Sequence, residues 1–377
     1  MKIKKILFIF LFSLAVFIAC SDRSLNSQSF QEIAADNSSF QYIGRIDRRN
    51  PQAPIFSFPA TACLFNFEGT SLKLKLADDN WGESNYIGVY LDNNPEPIVI
   101  QLKSGYEPQI YDIAEGLEDQ NHQALIIKRN DYMTGEFSFH GILIDNNKNL
   151  LSPPPQTNRK IEVYGDSISA GSAVEYEQTA TQDPSEDTTH LSNSYLTYGA
   201  MLARDYQAQL SLVAQAGIAL VDGYGFWNNG TGMETVYDKI KPLKDAPSWD
   251  FNQYIPNLVI IALGQNDGST STIDPNSHLT GTEWKGRYKN FVANLRSNYP
   301  NAYFICMFPN MYHDRIWDNY LNEAVAEYKN EQQDNKIYSL ITEQVTPGHP
   351  RVSEQKLMAD ALKNLIDTTL IKDGFSW

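Results

Sequence analysis

Leu72, Leu74 and Leu76 alternate with Lys73 and Lys75, a period of two that sets the leucines on one face of a strand and the lysines on the other. The rhythm recurs through the first part of the chain. Ile87-Gly88-Val89-Tyr90-Leu91 is followed by Asp92-Asn93-Asn94 and then by Ile98-Val99-Ile100, which reads as a hairpin. Further strands are expected at residues 124–128 and 137–144, with no convincing amphipathic helix before residue 150. Strands at this spacing predict an antiparallel β-sandwich, jelly-roll-like, over residues 41–152. Ser152-Pro153-Pro154-Pro155 suits neither a sheet nor a helix interior and marks a boundary. Beyond it, apolar runs at 161–164, 210–214, 258–263, 303–308 and 336–341 alternate with helical segments. Trp284, Tyr288, Phe291, Val292 and Leu295 form one helical stripe; Leu357, Met358, Ala361, Leu362, Leu365, Ile366 and Leu370 form another. Strand-helix alternation predicts an α/β domain over residues 156–377, flavodoxin-like, with a parallel sheet of about five strands. A chain of 377 residues suits two domains.

The start of the chain follows another pattern. Lys2, Lys4 and Lys5 precede an uncharged apolar run over residues 6–19, too short for a membrane span and suited to a signal peptide at 1–19. Phe17-Ile18-Ala19-Cys20 resembles the lipobox of bacterial lipoproteins, which implies that Cys20 is acylated and N-terminal after cleavage; a plain secretory cut near Ala19 is the alternative. Residues 20–40 are polar and rich in Ser, Asn and Gln, a tether from the membrane. The expected location is the cell envelope, on its periplasmic face or the cell surface.

Charge and cysteine content narrow the partners. Without the three leader lysines, 27 of the 30 basic residues face 45 acidic ones, a net charge of −18. So acidic a surface argues against nucleic acid and anionic lipid and for a neutral substrate, with membrane contact only through the anchor. The 21 tyrosines suit a protein that meets sugars or other flat ligands, although most aromatics must fill sheet cores. Cys63 and Cys306 lie far apart inside apolar runs and read as buried thiols. No Cys/His cluster has metal-ligand spacing, and nothing implies a cofactor.

Active sites of parallel sheets lie at the carboxyl ends of the strands. The first run there leads into Gly165-Asp166-Ser167-Ile168, the second into Ala216-Gly217, and the third into Gly264-Gln265-Asn266-Asp267. Thr346-Pro347-Gly348-His349-Pro350 precedes the last helical stripe. A serine hydroxyl becomes a useful nucleophile when an imidazole accepts its proton. The oxyanion that forms needs donors already in place, which backbone N–H groups and an Asn amide supply. Any one of these segments alone reads as a turn, cap or loop; together they occur in order, three directly after strands.

These blocks resemble the SGNH (GDSL-type) hydrolases: G-D-S-I, a lone Gly, G-x-N-D and a late H-P, over about residues 160–377. The whole mature chain resembles carbohydrate esterase family 2, on Tyr42-Ile43-Gly44-Arg45, Tyr195-Leu196-Thr197-Tyr198-Gly199-Ala200, residues 211–217 and Met233-Glu234-Thr235-Val236-Tyr237. The resemblance implies Ser167 as nucleophile, His349 as base, and an oxyanion hole from the N–H groups of Ser167 and Gly217 with the Asn266 side chain. It implies removal of acetyl groups from plant-type polysaccharides or oligosaccharides, of xylan or glucomannan type. Many SGNH enzymes carry Asp three residues before the His; Thr346 stands there, so a Ser-His dyad is expected, its His held by a main-chain carbonyl. Trp227, in Phe226-Trp227-Asn228, is a candidate sugar platform, with core packing as the alternative. His122, His140, His190, His278 and His313 carry no motif and read as structural.

Three rivals remain to weigh. An SGNH esterase acting on sialate O-acetyl, lipid or thioester groups differs only in loop geometry. An α/β-hydrolase is excluded, since its G-x-S-x-G elbow would need Gly where Ser169 stands. A non-catalytic carbohydrate-binding lipoprotein would have no need of Ser167, Asn266 and His349 together.

Overall fold

In the computed structural model, which describes residues 29–79, 84–268, 279–342 and 345–377, Leu72–Asp78 is a strand whose three leucines are fully buried. Burial of each such side chain stabilises the fold by about 2 kcal/mol. It pairs with Phe137–Asp145 and Gly105–Ala114, and the sheet also holds Ile46–Asp47, Ile55–Phe56 and Phe30–Ala34. A second sheet contains Leu150–Leu151, Ala62–Gly69, Gln120–Lys128, Tyr86–Leu91, Ile98–Gln101 and Gln41–Ile43. Both sheets are antiparallel, and their inner faces share one apolar core. The expected hairpin is present, Ile87 opposite Ile100 and Val89 opposite Ile98, with Asp92 and Asn93 at positive φ in its turn.

One expectation is corrected here. Phe30–Ala34, placed by sequence in the tether, forms a strand against Phe137–Asp145, with Phe30 opposite Asp145 and Ala34 opposite Gly141. Ile33 packs on the sandwich core, and Ala35 and Phe40 lie inside it. Apolar anchors this sparse among polar residues leave no clear period.

Among the described residues past the prolines come five strands: β1 (Lys160–Gly165), β2 (Gln209–Ala214), β3 (Leu258–Ala262), β4 (Tyr303–Phe308) and β5 (Ile337–Ile341). All are parallel, in the order β2-β1-β3-β4-β5. The helices are α1 (Ser167–Ala170), α2 (Tyr198–Asp205), α3 (Met233–Val236), α4 (Gly281–Asn298), α5 (Ile316–Gln332) and α6 (Val352–Leu365). α4 and α5 cover one face of the sheet, and α2 and α6 the other. Every residue of β3 and β4 is buried, as central strands covered on both faces require. Cys63 and Cys306 are buried free thiols.

Candidate active site

Gly165 at the end of β1 stands in register with Ala214 of β2 and Ala262 of β3. Chain leaving these level strand ends therefore brings Ser167, Gly217 and Asn266 to one rim. Asp166 caps α1 by accepting the Ile168 N–H at 3.0 Å, and Ser167 opens the helical turn. An N–H in a first turn has no intrahelical acceptor. Burial pushes the Asp166 carboxyl up to about 6.

Gly217 adopts φ +74°, and a Cβ there would lie 3.0 Å from Cβ of Phe226. The N–H groups of Phe226 and Trp227 both donate to Gly217 O, at 2.7 and 3.2 Å, closing a tight loop. Buried Asp267 accepts the N–H groups of Leu220 and Val221 at 2.8 and 3.0 Å. Burial pushes its carboxyl up to about 7. Asn266, beside it, donates its amide to Ile218 O at 2.9 Å and to Asp166 at 3.4 Å. The β3 loop thus holds the β2 loop in place through two adjacent side chains.

His349 arrives on the turn before α6. Gln355 of α6 donates to Ile168 O at 3.0 Å and accepts the Tyr198 N–H at 2.8 Å, fixing α6 against α1 and α2. With that docking, His349 Nε2 lies 2.8 Å from Ser167 Oγ. Its other ring nitrogen, Nδ1, lies 2.6 Å from Asp183 Oδ2, and its backbone N–H meets both Asp183 oxygens at 3.1 Å. A carboxylate only accepts, so Nδ1 carries the proton and Nε2 is left to accept from Ser167. Buried Arg351 donates to Asp183 Oδ1 at 3.0 Å. Burial alone would raise the Asp183 carboxyl, but the hydrogen bonds and charge of His349 outweigh it and, with Arg351, bring it down to about 2.

The dyad expectation is corrected by this contact. His349 is held by a side-chain carboxylate and not by a main-chain carbonyl. The carboxylate comes from the loop after α1, not from the position three residues before the histidine. Thr346, at that position, donates to Gly348 O at 2.6 Å within its own turn. Gly348 makes the approach possible: a Cβ there would meet Thr181 O at 2.4 Å and Asp183 Oδ1 at 2.8 Å. Sequence reasoning missed Asp183 and Arg351. Arg351 was findable as the next residue but one after His349; Asp183 had no local signal.

Trp227 does not stand at the rim as a bare platform. Its Nε1–H donates to Pro242 O at 2.8 Å and its ring packs on the core of the α/β domain. Two exposed rings lie near the site: Phe226, 62% exposed beside Gly217, and Tyr312, 72% exposed. The Tyr312 carbonyl accepts from Gln265 at 2.6 Å, which puts it next to Asn266. His313 is tied to Asp318 and Met311 O, and His122 to Asp92 and Glu118 O. Among the described residues no group of His, Cys, Asp and Glu is arranged to hold a metal. Cys20 and His278 lie outside the described residues.

A parallel sheet with Ser167 after its first strand, Asn266 after its third and His349 before its last helix is the layout of a GDSL-type hydrolase domain, and residues 161–341 match the family described as GDSL-like Lipase/Acylhydrolase. Residues 42–154 match Carbohydrate esterase 2 N-terminal. The chain belongs to carbohydrate esterase family 2. It is similar to Cellulase/esterase CelE of Acetivibrio thermocellus, 30% identical over 354 residues, and covers 91% of itself but 40% of CelE. An Acetylxylan esterase / glucomannan deacetylase of Cellvibrio japonicus is 26% identical over 75% of each chain. A solved family two carbohydrate esterase from Clostridium thermocellum, in complex with cellohexaose, superposes with a TM-score of 0.76 at 28% identity, over 88% of this chain and 99% of that one.

Proposed function

We propose that the protein is a serine esterase that removes O-acetyl groups from polysaccharides of xylan or glucomannan type. The observation that carries this is the relay from Asp183 through His349 to Ser167 Oγ, at 2.6 and 2.8 Å. Ser167 Oγ attacks the acetyl carbonyl carbon while its proton passes to His349 Nε2. The charge that develops on the carbonyl oxygen is met by the N–H groups of Ser167 and Gly217 and the Asn266 amide. Collapse breaks the bond to the sugar oxygen, which leaves with the proton from Nε2, and the acetyl group stays on Ser167. Water repeats the sequence and releases acetate. The names of the relatives support the substrate class, as do the exposed Phe226 and Tyr312 rings, which offer apolar faces to sugar rings. A net charge of −18 on the mature chain favours a neutral polymer.

Acetate release from acetylated xylan and glucomannan, with sialic acid acetate for contrast, tests the reading. Ser167→Ala is expected to abolish release while the circular dichroism and melting curve stay those of the wild type. More than a few per cent residual turnover in that variant would remove Ser167 from the role. A protein that binds the polymers and releases no acetate would be the non-catalytic lipoprotein instead. We further propose that Cys20 carries a lipid anchor in the cell envelope, supported by Phe17-Ile18-Ala19-Cys20 after an apolar leader. Labelled fatty acid is expected in the wild type and not in Cys20→Ser; equal labelling of the two would refute the anchor.

A further inference from the structure

Four consecutive polar residues, Lys128-Arg129-Asn130-Asp131, sit at the end of strand Gln120–Lys128 of the β-sandwich, each more than nine-tenths buried. Polar side chains are rarely buried in series, because each must replace its lost water. Here several of the replacements lie in the other domain. The Arg129 guanidinium pairs with Glu175, whose other oxygen accepts the Asn193 amide at 2.8 Å. Asn130 donates its amide to Thr189 O at 2.8 Å while accepting the Tyr86 N–H at 2.8 Å. Ser194 donates its N–H to Arg129 O at 2.9 Å and its hydroxyl to Lys128 O at 2.7 Å. These contacts close the base of the loop that carries Asp183.

Asp131 reaches the other wall of the site. Its Oδ2 accepts the Ala216 N–H at 2.7 Å and faces Gln215 Nε2 at 3.4 Å; its Oδ1 accepts the Met133 N–H at 3.0 Å. The Lys128 ammonium donates to Asn85 at 2.8 Å and to Asp131 O at 3.3 Å, which stiffens the segment from behind. Ala216 is the residue before Gly217. The loop bearing Gly217 is therefore gripped at its far end by Asp267 of its own domain and at its near end by Asp131 of the sandwich.

We propose that Lys128-Arg129-Asn130-Asp131 is a positioning segment for the esterase site, with Asp131 setting the Gly217 N–H for the oxyanion through Ala216. The sandwich then acts on the transition state without touching substrate. An oxyanion donor helps only where the charge will be, and a displacement of about 1 Å costs up to roughly a hundredfold in rate. The inference rests on the proposed esterase activity, and the experiment separates the two. Steady-state kinetics on an aryl acetate and melting curves are taken for the full chain, Asp131→Asn and Asp131→Ala. The amide of Asn fits the same space but serves only one of the two backbone donors. Expected are a loss in kcat of about three- to tenfold for Asp131→Asn and roughly ten- to a hundredfold for Asp131→Ala, with KM within about twofold of wild type, because the affected bond belongs to the transition state. Asp131→Asn decides the matter by itself if Asp131→Ala does not fold. Wild-type kcat in a folded variant, or a loss confined to KM, overturns the proposal. A wild-type protein with no esterase activity overturns the function it rests on.

Discussion

At the residue scale the decisive contact is a carboxylate on Nδ1 of His349. It fixes the tautomer and stabilises the imidazolium that forms when Ser167 gives up its proton. Asp183→Asn is expected to lower kcat on an aryl acetate by about a thousandfold or more, since an amide that donates toward Nδ1 favours the tautomer with no acceptor for Ser167. Thr346→Ala serves as control and should leave kcat within a few-fold, as its hydroxyl bonds only its own turn. Near-wild-type kcat in both variants would restore the dyad. Because the Asp183 carboxyl lies below its usual 3.8, at about 2, its contribution to stability is present above pH 3.8 and is lost as pH falls toward 2. Activity lost between neutrality and pH 4 therefore does not arise from Asp183. Ser167, Asn266 and His349 were legible because each sits in a short motif fixed to a strand end or helix start. Asp183 lies in a loop without apolar rhythm, 166 positions before its partner, and it is one of 45 acidic residues.

At the scale of elements, legibility followed burial. β3 and β4 are covered on both faces, so their sequences are continuous apolar runs and could be read to within a residue. The hairpin at 86–101 was equally plain, since polar residues that tolerate positive φ separate two alternating strands. Phe30–Ala34 was lost because an added strand at the start of a domain needs few buried side chains when its partner supplies the ladder. The loops carry the chemistry and were the least readable. Asp267 looked like half of a common loop pair, yet its two oxygens hold Leu220 and Val221. A buried carboxyl pushed up to about 7 is costly to retain, and a fixed Gly217 loop is the physical return for it. Trp227 illustrates the limit from the other side: sequence could pick out the aromatic pair, but not which ring of Phe226 and Trp227 faces solvent.

At the scale of the molecule the two domains share a buried ion pair. Arg45 leaves the sandwich and enters the α/β domain, where it meets Glu162 of β1 at 3.1 Å with both side chains fully buried. The same guanidinium donates to Tyr164 Oη at 2.6 Å and to Lys239 O at 3.3 Å. Tyr164 and Ser211 donate in turn to Glu162, at 2.7 and 2.9 Å. Tyr42-Ile43-Gly44-Arg45 could be recognised in the sequence as a family segment, but a buried partner so far along the chain could not. Removing one member of such a pair leaves an uncompensated charge in the interior and costs about 3–5 kcal/mol, whereas replacing both by uncharged groups of similar size is far milder. Arg45→Met is accordingly expected to destabilise the protein by about 3–5 kcal/mol in urea unfolding at neutral pH. Adding Glu162→Gln should recover a large part of that loss, because the amide oxygen still accepts from one of the Tyr164 and Ser211 hydroxyls, the amide N–H can donate to the other, and the stranded charge disappears. The double variant should therefore be more stable than Arg45→Met alone, with strong coupling between the two sites. Additive losses in the four-way cycle would mean that Arg45 acts through its packing on Tyr164 and Trp249, and that the ion pair is incidental to joining the domains.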